Sequence, residues 1–158
     1  MGRANIDLER VQHNLKEGFI HLKRVNEAIE EIEKKYSFPI SSKEFQKILE
    51  NRVDLAFSDQ IIYRFSKLQD FIGAKLFKSF LLYQGENVDK PFRDILNRFE
   101  KIEILNVEEW FEVRHLRNEI AHNYESNESV AIEILNGIFE TRKNLQRILE
   151  RIQSLTME

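Results

Sequence analysis

The chain has 158 residues, no cysteine, a formal net charge of −3 and 32% charged residues. Without cysteine there is no disulfide, thiolate zinc site, iron–sulfur cluster or thiol nucleophile. The negative balance argues against a broad basic face for duplex DNA, yet leaves room for a small cationic patch that grips one or two phosphates.

Five Gly and two Pro leave few places to break the chain into strands, so one all-α domain over residues 1–158 is expected. The first helix is predicted over roughly 6–35, with Ile6, Val11, Leu15, Phe19, Leu22, Val25, Ile29 and Ile32 at helical spacing. Pro39 in "YSFPIS" ends it. Ser41 and Glu44 form a capping-box pattern that opens a short helix through Phe45, Ile48 and Leu49.

A second long helix is predicted from about Ser58 to Gln84, with Ile61, Ile62, Phe65, Leu68, Phe71, Ile72, Leu76, Phe77, Phe80 and Leu81 inward and Gly85 as its stop. Pro91 suits a first helical position, and Phe92, Ile95, Leu96 and Phe99 follow over about three turns. "NVEE" caps the next helix, and "ESNES" separates it from a last one over roughly 128–155. The expected architecture is an up-and-down bundle of four main helices plus one or two short ones. No run of about 18 apolar residues exists, and "MGRANIDLER" lacks a hydrophobic signal core, so no membrane span and a cytoplasmic protein are expected.

The segment "RNEIAHNY", residues 117–124, interrupts this plain pattern with hydrogen-bonding groups. On a wheel of about 100° per residue, Trp110, Val113, Leu116 and Ile120 share an apolar sector that also holds Arg117 and Tyr124. His115, Asn118 and His122 fall in another sector, Asn118 and His122 one turn apart. A guanidinium beside Trp110 and Ile120 is partly desolvated, which is costly unless it is paired or waits for an anion. Two uses of Arg117 follow: an interhelical ion pair at the edge of the core, or a phosphate grip.

Imidazole can take a proton from a ribose 2′-hydroxyl or give one to a leaving oxygen near neutral pH, and guanidinium stabilises the charge of a phosphorane. Together they suit RNA cleavage by internal 2′-hydroxyl attack, without metal or cofactor. Arg117 and His122 point about 140° apart on an ideal helix. One site holding both therefore requires either unwinding near Ala121–Asn123 or a second copy of the chain. His115 lies about 10 Å along the axis from His122, too far to share a metal ion, and with Arg114 it is a weaker candidate for an RNA path. His13 and His21 have no partner pattern.

At these residues the sequence resembles the HepT-like group of the HEPN superfamily. Arg117, Asn118, His122 and Tyr124 fit its R-x4-H-x-Y pattern, and Trp110 just upstream on the same helix fits its usual context. The resemblance covers about 20 residues. It implies an all-α homodimeric endoribonuclease, independent of metal, with Arg and His of both chains at the dimer interface. Such proteins often act as the toxin of a toxin–antitoxin pair whose antitoxin is a nucleotidyltransferase. It implies Arg117 and His122 as the catalytic pair, Asn118 in support and Tyr124 as the residue open to adenylylation. Some relatives of this fold are substrate-binding companions of nucleotidyltransferases, a non-catalytic alternative. The segment 86–106 makes this chain larger than the small members of the group.

Overall fold

The computed structural model describes residues 2–123 and 127–157, apart from the side chains of Ala4 and Asn123. Among them the order is α1 (Gly2–Glu33), α2 (Ser42–Glu50), α3 (Arg52–Phe71), a π-helical segment (Ile72–Leu76), α4 (Phe77–Tyr83), α5 (Phe92–Lys101), α6 (Val107–Asn123) and α7 (Glu128–Thr156). No strand occurs among the described residues, and the fold is an all-α helical bundle. Among the described residues no helix is long and apolar enough to cross a membrane.

Side-chain caps set several of the boundaries. Ser41 Oγ accepts from Glu44 N at 3.1 Å while Glu44 Oε1 accepts from Ser41 N at 3.1 Å, the expected capping box. Asn51 follows α2 and starts α3, its side chain accepting from Val53 N and Asp54 N. α3 therefore begins at Arg52 and not near Ser58 as predicted. The prediction failed there because Val53 is 62% exposed and sets up no inward period. At the other end of this rod Gly85 has φ +77°, Gly85 N donates to Leu82 O at 3.0 Å and Glu86 N to Leu81 O at 2.9 Å. That is a glycine-terminated stop that satisfies the last carbonyls. Pro91 stands one residue before α5 as its N-cap, not inside it.

α1 packs along α3, α4 and α7, while α6 packs on α7 and α3. The buried apolar side chains form one continuous cluster. Phe77, fully buried just after the π segment, is its aromatic hub, with ring centroids 4.4 Å from Phe99 and 5.1 Å from Trp110. Through it α4 is tied to α5 and α6, and truncation to Ala would cost about 3–5 kcal/mol. Two expected core residues are on the surface: Ile6, 49% exposed in the early turns of the 32-residue α1, and Leu49, 41% exposed because the nine-residue α2 buries only Phe45 and Ile48.

Candidate functional site

Helix α6 begins where Asn106 Oδ1 accepts from Glu109 N at 3.0 Å, with Glu108 and Glu109 placed favourably at the positive end of the helix dipole. Trp110, Val113 and Leu116 are buried and Ile120 is half-buried, so the predicted apolar sector faces the core. Arg117 sits at the margin of that sector, its side chain 29% exposed.

It is paired. Arg117 Nε donates to Asp70 Oδ1 at 3.0 Å and Nη2 to Asp70 Oδ2 at 3.0 Å, a two-bond fork between α6 and the last turn of α3. These bonds hold the guanidinium pKa above its ordinary value. Of the two uses open to Arg117, the interhelical ion pair is the one the single chain makes.

The pair lies in a groove of about 640 Å³ between α6, the π segment and the 86–92 connection. Among the described residues four cationic side chains line it, Lys78, Lys90, Arg114 and Arg117, against two carboxylates, Asp70 and Asp89. Asn118 and Ala121 are on its α6 side, and Phe92, Ile95 and Trp110 give it an apolar base. The floor is tight there: a Cβ on Gly73 would stand 3.2 Å from Trp110 Cζ2. Trp110 Nε1 is buried with no hydrogen-bond partner among the described residues.

The structure thus brings Arg114, Arg117 and Asn118 to one groove. It does not bring His115, which lines a separate shallow groove between α6 and α7 with Phe111, Leu116, Gly137 and Thr141. Nor does it bring His122, exposed in the last turn of α6, while its neighbour Ala121 lines the groove. The helix runs unbroken through Asn123, so the unwinding at Ala121–Asn123 that would have joined Arg117 to His122 within one chain does not occur. A helix keeps residues five apart on different sides. Tyr124 lies outside the described residues.

Sequence reasoning missed Lys78, Lys90 and Asp70. Their only signal was a charge on an otherwise apolar helix or beside Pro91, too common to single out. Phe111, half exposed at 52%, and His115 one turn on continue with Asn118 and His122 as a surface stripe at helical spacing.

No family model matches the chain, and no curated protein is significantly similar to it. What rests on structure alone is an all-α bundle with a cation-lined groove, Phe92 at its base, beside a forked arginine.

Proposed function

We propose that this chain is a metal-independent endoribonuclease, the toxin of a HEPN-type toxin–antitoxin pair in the cytoplasm, with a nucleotidyltransferase as its antitoxin. The observation that carries the reading is the groove. The motif residues Arg117 and Asn118 share it with Arg114, Lys78 and Lys90, a local cationic excess in a chain of net charge −3. Such an excess attracts a phosphodiester despite the overall charge, and the partly exposed ring of Phe92 beside it suits an unstacked nucleobase.

In this reading two copies meet along the exposed Phe111–His115–Asn118–His122 stripe, each supplying one His122. One imidazole takes the 2′-hydroxyl proton as the 2′-oxygen attacks phosphorus; the other, protonated, gives its proton to the departing 5′-oxygen. The O–P bond formed at the 2′-position balances the P–O5′ bond broken, leaving a 2′,3′-cyclic phosphate and a 5′-hydroxyl. Arg117 stabilises the extra negative charge in between. Asn118, one turn before His122, orients the ring, and Tyr124 is the residue an antitoxin would adenylylate.

The test is cleavage of a labelled oligoribonucleotide in excess chelator by the wild-type chain and His122→Ala. Cleavage lost with His122, together with a dimer mass by light scattering, is expected. Activity that needs added metal or survives His122→Ala, or a strict monomer at micromolar concentration, overturns it.

One observation favours a second reading. The charge of Arg117 is already offset by Asp70, as suits a structural pair in a non-catalytic substrate-binding partner of a nucleotidyltransferase. A stable complex with such an enzyme, and no cleavage by the free chain, would select that reading.

A further inference from the structure

One acidic side chain of the groove, Asp70, is in direct contact with the motif residue Arg117. We infer that Asp70 is a positioning residue for Arg117: it holds one edge of the guanidinium so that the remaining donors meet a phosphate in the groove. The inference rests on the endoribonuclease reading.

A guanidinium has five N–H donors in a rigid plane. Asp70 engages the Nε–H and one N–H of Nη2. Of the three N–H groups not engaged by Asp70, the second of Nη2 and one of Nη1 form another fork at the far end of the same plane. That fork matches two phosphate oxygens as the first matches a carboxylate. An arginine held only by its stem would have to be ordered when substrate arrives; here the order exists beforehand, the condition for effective transition-state stabilisation.

A simple brace between helices explains the pair less well. Asp70 is 49% exposed, so the pair adds little to the packing of α3 on α6, while its two-bond geometry still fixes the plane of the guanidinium. Both α3 and α6 are already anchored in the common core by buried apolar side chains such as Leu68 and Trp110. The carboxylate also lowers the net charge of a groove meant for an anion. Attraction of RNA then falls to Arg114, Lys78 and Lys90, and direction falls to Arg117.

This division separates KM from kcat. In Asp70→Asn the groove gains one unit of positive charge while the fork loses an acceptor. Single-turnover cleavage of an oligoribonucleotide in chelator is expected to give KM unchanged or lowered and kcat reduced at least tenfold, with Asp70→Glu recovering part of the loss. A merely structural pair would not produce that split, and a carboxylate that only competes with substrate would raise kcat. An active wild type with Asp70→Asn at equal or higher kcat overturns the inference and leaves the endoribonuclease reading standing.

An inactive wild type sinks the endoribonuclease reading instead, and a second measurement then decides. The Arg117 Nε–H resonance, assigned with Arg117→Lys, is followed while inorganic phosphate is added. Continued protection from exchange as phosphate binds supports a retained Asp70 edge; lost protection, or no response of Arg117 to phosphate, overturns it.

Discussion

Gly137 of α7 lies directly against Leu116 of α6: a Cβ built on Gly137 would come within 2.6 Å of Leu116 Cδ2 and 3.0 Å of Cδ1. Leu116 immediately precedes Arg117, so this close approach sets how deeply the site helix beds onto α7. Gly137→Ala would gain about 1 kcal/mol of helix propensity and lose about 1–3 kcal/mol to overpacking. A net loss of about 1 kcal/mol in denaturant unfolding is expected. A variant more stable than wild type would mean that Leu116 swings aside freely.

The rim lysines are expected to act on RNA as point charges. Binding of a non-cleavable single strand to Lys78→Ala/Lys90→Ala should be weaker at every sequence. Each lost phosphate contact should flatten the slope of log affinity against log salt by about 0.7. Both side chains stand at the rim of the groove outside the buried cluster, so the melting temperature should scarcely move. An unaltered slope would place the strand elsewhere.

Stability should also depend on pH through His21 of α1. Its Nδ1 lies 3.2 Å from Arg64 Nη1, and a guanidinium can only donate, so Nδ1 accepts and the ring is neutral. Burial foremost, then Arg64 and more weakly Lys67, hold the pKa below its usual 6.5, with Glu17 opposing. The unfolded chain therefore binds this proton more readily. The contribution of neutral His21 is whole above about pH 6.5 and declines as pH falls through 6.5 toward the lowered folded value. His21→Gln should remove that part of the decline in unfolding curves taken between pH 7.5 and 5.5.

The capping box of α2 is a local test of the fold. Ser41→Ala removes the acceptor for Glu44 N and should cost about 1 kcal/mol in chemical unfolding. Backbone N–H groups of Ser41 and Ser37 hold the Glu44 pKa below its usual value. Protonation weakens the two bonds that the Glu44 carboxylate accepts, and that contribution is lost as pH falls through the lowered folded pKa. A Ser41→Ala variant as stable as wild type would mean the cap is dispensable.

Much of the bundle was legible because its punctuation is chemical: Ser41 with Glu44, Gly85, Asn106 and Asn127 each mark a helix end by bonds that a short stretch of sequence contains. The apolar period named nearly all the core, failing at Ile6 and Leu49, where a helix outruns or barely touches its neighbours. The π segment was missed although the pattern carries its trace. Leu68, Ile72, Leu76 and Phe80 step by four throughout, and a 3.6-residue helix cannot keep such a row on one side. The motif located Arg117 and Asn118 at the groove, but Asp70 is 47 residues away from Arg117 and meets it only because α3 and α6 cross there. No local pattern encodes a crossing.

The run of Ile72–Leu76 acts as a phase shifter within a rod that is otherwise α-helical. In an uninterrupted α-helix, positions 70 and 78 would look in directions about 80° apart; one surplus residue in the winding turns the later half back by about 100°, leaving them about 20° apart. Carboxylate and ammonium so come to face the same wall. Excising a single residue from this stretch would rotate Lys78 out of line with Asp70 and, by the same twist, carry Phe77 away from the rings it meets.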